Sequence, residues 1–159
     1  MDSVRAGEDV IVSAEDAVKP GISRVLFMGP RRSGKSSIEQ VIFHKMSPHE
    51  TLFLDTTNTV DIHLIANNNL VRFQTWDFGG DMSLEQDVPY MGTMIPVETI
   101  CRNCGTLVYV IDAQDEQEED YQDALPKLVE TIGLAHSINP KINFEVFLHK
   151  VDGDAMSEE

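Results

Sequence analysis

No stretch of this sequence approaches the ~18 consecutive apolar residues that a membrane span needs, and Met1-Asp2-Ser3 opens neither a secretory n-region nor a myristoylation site. Cysteine is scarce as well. The two that occur, in Cys101-Arg102-Asn103-Cys104, have redox or zinc spacing, yet neither a second pair nor a neighbouring histidine accompanies them, so reduced, unbridged thiols are expected. Basic residues are few: 12 Lys+Arg stand against 27 Asp+Glu, a formal net charge of −15 that repels nucleic acid and anionic lipid over the molecule as a whole. Nothing is fibrous or repetitive. What remains is a chain of 159 residues with 42% hydrophobic content, enough for one domain with a sizeable core. It is expected in the cytoplasm, with protein partners, no nucleic acid and no direct membrane insertion, so that any membrane address comes through a partner.

What is present is concentrated in one place. Gly29-Pro30-Arg31-Arg32-Ser33-Gly34-Lys35-Ser36 fits G-x-x-x-x-G-K-S and directly follows the apolar run Val25-Leu26-Phe27-Met28. A buried strand therefore delivers its end into a phosphate-binding loop and then a helix. Backbone N–H groups from Arg32 to Ser36 are expected to curl around a β-phosphate, with Lys35 reaching the β/γ oxygens and the Ser36 hydroxyl ligating Mg²⁺. On a chain this acidic, a polyanionic nucleotide must be held by such a focused local site.

The rest of the chain predicts an α/β fold of the P-loop NTPase kind, with a mostly parallel sheet and one antiparallel hairpin strand. Residues 1–20 lack periodicity and end at Pro20-Gly21, which predicts a mobile tail before a domain over 21–159. Ile38, Val41, Ile42 and Met46 place a helix from Ser36 to about Lys45, leaving His44 and His49 as surface residues. Thr51 to Thr59 reads as a loop that a nucleotide orders. Alternation over Val60, Ile62 and Leu64, turn-tolerant Asn67-Asn68-Asn69, and then Leu70 to Trp76 predict an antiparallel hairpin. From Phe78 to Asn103, glycines and prolines predict a mobile segment with a short irregular helix. Gly105 to Asp112 reads as a central parallel strand and Tyr121 to Ile132 as a helix ended by Asn139-Pro140. Ile142 to Leu148 is a last strand. Glu116 to Asp120 is a solvated acidic run.

Three segments then meet at the ends of three strands, where such a sheet gathers its ligand. Asp77-Phe78-Gly79-Gly80 reads as D-x-x-G: a carboxylate holding Mg²⁺ through water and, at Gly80, an N–H that can reach a γ-phosphate oxygen. His149-Lys150-Val151-Asp152 resembles the N/T-K-x-D element that reads guanine, the Asp152 carboxylate accepting from the ring N–H and the exocyclic amine while the Lys150 stem packs over the base. Adenine lacks that pair of donors, which favours GTP over ATP.

Over about Ser23 to Gly153 the chain resembles the G domain of a Rag GTPase of the C/D type. The carrying segments are Arg31 to Ser37, Phe43-His44-Lys45-Met46-Ser47-Pro48, Thr51-Leu52-Phe53-Leu54, Trp76-Asp77-Phe78, Tyr109 to Gln114 and Asn143 to Gly153. The resemblance implies a nucleotide site of Arg32, Ser33, Gly34, Lys35, Ser36, Ser37, Thr57, Gly80, His149, Lys150 and Asp152, with His149 where most guanine binders carry Asn. It implies Ser36 and Thr57 as direct Mg²⁺ ligands, Thr56 being the register alternative, and Asp77 as a water-mediated one. It further implies GTP and GDP as ligands and an A/B-type Rag subunit as heterodimer partner. A lysosomal or vacuolar scaffold and signalling of amino-acid supply to the target-of-rapamycin complex complete the family picture.

The departures are equally specific. Gly79-Gly80-Asp81 stands where the family has Pro-Gly-Gln, so a carboxylate, Asp81, replaces the water-positioning amide as the candidate catalytic residue. Placed ~5 Å from a γ-phosphate at an effective dielectric of ~20, it repels by roughly 3 kcal/mol per charge pair, with Arg31 either neutralising it or facing solvent. The segments 86–103 and 116–120 are longer than the family pattern. A complete G domain would add more helix, another strand with a base-contacting loop and a final helix, so the C-terminal portion is expected to be missing, as in a fragment or a truncated gene model. Two alternatives to a slow GTPase switch compete: a non-catalytic guanine-nucleotide module, and a nucleotide kinase disfavoured by the lack of a downstream Arg cluster.

Overall fold

A computed structural model describes residues 10–66, 70–114 and 119–150, the side chains of 119–121 excepted. Five strands form one sheet in the order β2-β3-β1-β6-β7: β1 (Ser23–Met28), β2 (Val60–Ala66), β3 (Arg72–Phe78), β6 (Cys104–Asp112) and β7 (Asn143–His149). β1 pairs parallel with both β3 and β6, and β7 pairs parallel with β6. β2 alone runs antiparallel, Val60 to Ala66 opposing Phe78 to Arg72, because a short connection joins it to β3. After β1 the chain first builds one side of the sheet and then crosses to the other. This reversal opens a crevice beyond the C-terminal end of β1.

The central strands are apolar on both faces because both are covered. Leu26, Met28, Trp76, Phe78, Leu107, Tyr109 and Ile111 join the larger core, against which Leu128, Leu134 and Ile138 of α4 (Glu119–Ile138) pack. Phe27, Val108 and Val110 point the other way, beneath Ile38 and Phe43 of α2 (Lys35–Phe43). α2 thus begins one residue before the expected helix and ends two residues sooner. The turn expected over Asn67–Asn69 lies outside the described residues.

Two expectations are corrected. The tail expected to be mobile through residue 20 is packed from Val12 onward: Ser13 caps the four-residue α1 (Ala14–Ala17), and Val12 and Ala17 are buried. Its carbonyls are bound from below, by Gln74 Nε2 on Asp16 O at 3.0 Å, Tyr90 Oη on Val12 O at 2.6 Å and Arg24 on Ala17 O at 2.7 Å. Two apolar anchors and borrowed donors leave no periodicity to read. The segment from Phe78 to Asn103, expected to be mobile with a short helix, does hold such a helix, α3 (Val97–Arg102), but also an ordered hairpin, β4 (Val88–Tyr90) with β5 (Thr93–Ile95). Val88, Tyr90, Ile95, Ile100 and Cys101 bury into the large core. Pro89 faces out of an edge strand, where its missing N–H costs nothing, and Met91-Gly92 turn with positive φ at both positions.

Cys101 and Cys104 are free and buried, and burial pushes their thiols up to about 11 and about 12. Such thiols are unreactive. Among the described residues no helix is long and apolar enough to cross a membrane.

Arg24 ties these layers together. It is fully buried, its guanidinium lies 5.2 Å from the Trp76 ring centroid, and it donates to Ala17 O and, at 3.1 Å, to Thr99 O. Arg24→Met keeps the volume but leaves both carbonyls without their donor. At ~1–3 kcal/mol per orphaned buried group, urea unfolding is expected to show a loss of about 2–4 kcal/mol, and an unchanged midpoint would contradict the clamp.

Candidate functional site

Beyond the C-terminal end of β1 lies a cleft of about 590 Å³. Arg31, Arg32, Gly34, Lys35, Ser36 and Ser37 line one side, Thr56, Thr57, Gly79 and Gly80 another, and His149 and Lys150 a third. Four of the 12 cationic side chains of this acidic molecule, Arg31, Arg32, Lys35 and Lys150, border it, with Asp55 as the one acidic lining residue among the described residues. The cleft is a local basin for an anion. α2 starts there with Gly34 as N-cap, no side-chain cap and no acidic residue in its first turn, so the helix points its open N–H groups into the cleft. Gly34 has φ 99°, and a Cβ on it would lie 2.3 Å from His149 Nδ1. Only glycine lets the loop and the last strand meet so closely.

The Ser36 hydroxyl donates to Asp77 Oδ2 and lies 3.1 Å from Thr57 Oγ1, which itself stands 3.3 Å from Asp77 Oδ2. The hydroxyl in this cluster is that of Thr57; Thr56 lines the cleft without joining it. Asp77 is buried, and its Oδ1 has no hydrogen-bond partner. Two hydroxyls and a buried carboxylate with one orphaned oxygen are the oxygen-rich donor set that Mg²⁺ prefers, directly and through water. These residues therefore fit the ion that the sequence implies.

Lys35 is buried beside them, its Nζ 2.6 Å from Pro30 O and 3.5 Å from Ser33 Oγ. Burial pushes its ammonium down to about 8 and the Asp77 carboxyl up to about 6, although each partly offsets the other's cost. Gly80 faces the phosphate loop: a Cβ there would lie 2.3 Å from Arg31 N.

The two sides of the cleft are bolted together at its far end. His149 Nδ1 stands 2.9 Å from Ser33 O, and Lys150 Nζ donates to Arg32 O at 2.7 Å and to Asp112 Oδ2 at 2.6 Å. Gln114 Nε2 donates to Lys150 O at 2.6 Å. Asp112 and Gln114 were not singled out as site residues, and their part follows from the parallel register that sets Asp112 beside His149. Asp152, expected to read the base, lies outside the described residues, as does the run 116–118.

Asp81 departs from its expected place. Arg31 Nε donates to its Oδ2 at 2.9 Å, and the hydrogen bond and charge of that guanidinium hold the carboxyl below its ordinary value. Gly80 lines the cleft, whereas Asp81 lines a smaller neighbouring cavity of about 110 Å³. Of the two expectations for Arg31, the structure shows the neutralising one, in a pair that remains open to solvent. His44 is corrected too: it is largely buried and bound to Glu39.

Residues 24–159 match the family model described as "Gtr1/RagA G protein conserved region". The chain is 51% identical over 138 residues to mouse Ras-related GTP-binding protein C, covering 87% of this chain and 31% of that protein. It is 43% identical over 130 residues to GTP-binding protein gtr2 of Schizosaccharomyces pombe, covering 82% of this chain and 38% of that one. Thus the chain spans about a third of the length of the curated relatives it matches. Among solved structures, GTP-bound IFT22 of T. brucei superposes with a TM-score of 0.48 at 16% identity, over 82% of this chain and 64% of that one.

The burial of Asp77 has a pH signature in the chain free of nucleotide and Mg²⁺. A folded value of about 6 above the ordinary 3.8 means that folding costs nothing extra below pH ~4 and progressively more as pH rises through 6. Relative to wild type, Asp77→Asn should gain stability over that interval, by on the order of 2–3 kcal/mol at neutral pH. Urea midpoints that stay parallel between pH 4 and pH 7 would refute this.

Proposed function

The chain belongs to the Gtr1/RagA G-protein family, and from that membership we propose that it is a Mg²⁺-dependent guanine-nucleotide switch of the C/D type that hydrolyses GTP slowly. The convergence of Ser36, Thr57 and Asp77 beside the buried Lys35 carries this reading. In it, the N–H groups from Arg32 to Ser36 and the start of α2 hold the β-phosphate, and Lys35 turns from Pro30 O to the β/γ oxygens. The hydroxyls of Ser36 and Thr57, with Asp77 through water, would hold Mg²⁺, which would supply positive charge against the phosphates. Gly80 offers its N–H to the γ-phosphate, so Thr57 and Gly80 register whether that phosphate is present. Lys150 packs over the base and Asp152 reads its guanine edge.

Guanine selection is tested by competition. GTP and GDP are expected to displace a fluorescent guanine nucleotide in Mg²⁺, and ATP to fail; equal competition by ATP would remove the guanine assignment. Ser36→Asn should weaken GTP more than GDP, because the lost hydroxyl would hold a cation that offsets phosphate charge, of which GTP carries more.

The partner in this reading is an A/B-type subunit. The pair is held by a scaffold at the lysosomal or vacuolar surface, where it reports amino-acid supply to the target-of-rapamycin complex. The reading rests on family membership and on likeness to Ras-related GTP-binding protein C. A second reading, a binding module without catalysis, draws on Asp81 itself, a carboxylate paired with Arg31 where the family has the water-positioning amide. Single-turnover phosphate release separates the two. The chain alone is expected to run no faster than the order of 10⁻⁴ per second of unassisted switches. Asp81→Gln, which restores an amide, should tighten GTP relative to GDP and raise the rate when a partner supplies an arginine. Little stable dimer is expected from these 159 residues by themselves, and a tight 1:1 complex with a co-expressed A/B-type subunit would show that they suffice. Fast release by the wild-type chain alone, abolished in Asp81→Asn, would instead make Asp81 a working base.

A further inference from the structure

α2 has a second chemical end. Glu39, on the turn after the phosphate-loop residues, is 1% exposed, and its Oε1 is approached by His44 Nε2 at 2.8 Å, His63 Nδ1 at 3.1 Å and the Thr75 hydroxyl at 2.7 Å. Three donors crowd one oxygen, while Oε2 accepts from Gln40 Nε2 at 2.9 Å. Burial pushes the Glu39 carboxyl up, but hydrogen bonds from His63 and Thr75 outweigh it and keep the group ionised. Its neighbours arrive from different elements. His44 is the C-cap of α2, where the chain leaves helical geometry, while His63 and Thr75 are directly opposite one another on β2 and β3. The imidazoles lie with ring centroids 4.8 Å apart and are 12% and 18% exposed.

We propose that Glu39 Oε1, His44 Nε2 and His63 Nδ1 form a binding site for a divalent transition-metal ion of the zinc type, separate from the nucleotide cleft. The three ligand atoms all lie within 4.8 Å of one another. A tetrahedral ion with bonds of ~2.0–2.1 Å separates its ligands by about 3.3 Å, so the 2.8 and 3.1 Å contacts would open by only about 0.2–0.5 Å. Two nitrogens and one carboxylate oxygen suit Zn²⁺ and disfavour Mg²⁺, which takes oxygen ligands. The ion would replace two N–H donors on the crowded oxygen with one positive charge, each imidazole giving a lone pair. Thr75 and Gln40 would continue to orient the carboxylate, as outer partners of metal ligands do. None of the three residues lines the nucleotide cleft. The site joins the C-terminal end of α2 to β2, the strand that follows the loop carrying Thr57.

The test uses the full chain loaded with GDP and Mg²⁺, stripped of other metals, and titrated with Zn²⁺ against a chromophoric chelator. One Zn²⁺ per chain is expected, bound at least about 100-fold more weakly by His63→Ala and by His44→Ala. Co²⁺ in its place should show the visible bands of a tetrahedral site without thiolate charge transfer. Retention of GDP certifies that a variant is folded; if His44→Ala loses it, the comparison rests on His63→Ala and His63→Asn, changed on a strand away from the nucleotide. The proposal is overturned if wild type binds Zn²⁺ no more tightly than these variants, or if bound Co²⁺ reports thiolate from Cys101 or Cys104.

Discussion

A buried ammonium and a buried carboxylate, Lys35 after β1 and Asp77 in the neighbouring β3, set the terms for everything around them. Each is drawn out of water, and burial moves each toward its neutral form, Lys35 to about 8 and Asp77 to about 6. Their mutual attraction does not repair the cost, because Lys35 bonds to Pro30 O and Asp77 keeps one oxygen without a partner. A packed domain tolerates such a pair only if the rest of the fold holds it in place. The parallel pairing of β1 with β3 does so, with Trp76 and Phe78 burying one face around Asp77. The strain is localised where an anion and a cation together would relieve it.

The same economy governs charge at long range. A molecule of formal charge −15 repels a nucleotide from most directions, yet the cleft gathers cations at its rim. Two of these are themselves tied to acids, Arg31 to Asp81 and Lys150 to Asp112. The pairings differ in consequence. The Lys150 contact is part-buried and also reaches Arg32 O, so it fixes the end of β7 onto the loop before α2. The Arg31 contact sits between side chains 44% and 67% exposed and, as a screened surface pair worth ~0–1 kcal/mol, it can be exchanged for a phosphate oxygen at little cost.

The parts of this site that were legible in the sequence are those whose chemistry is local. Gly29 to Ser36 announces a loop through spacing alone, and the doubly covered strand through Val110 through its continuous apolar run. The mostly parallel sheet, though not its strand order, followed from the alternation of strands and helices. Illegible parts depend on contacts made at a distance. The packing of residues 12–17 rests on donors from Arg24, Gln74 and Tyr90, far along the chain. The hairpin over 88–95 has strands of three residues, too short for a period to register. His44 looked like a surface residue because helical spacing says nothing of a cap residue turning back on Glu39, and His63 gains its meaning only from the register that sets it opposite Thr75.

Taken together, these contacts leave the loop before β2 fixed at its ends and open in its middle. At one end His44 is bound to Glu39, and at the other Thr57 stands beside Ser36 and Asp77. Between them Leu52 and Phe53 are 81% and 86% exposed, with only a short 3₁₀ turn over Glu50–Phe53 for structure. A segment with so little buried apolar area has little energy opposing its rearrangement, so its position is decided at Thr57, by whatever the hydroxyl touches. β2 starts three residues later and carries His63 to the Glu39 cluster, which places both anchors on α2. One helix therefore holds the nucleotide-facing hydroxyl at its first turn and the imidazole cluster at its last, and any change in the loop must be accommodated between those two points.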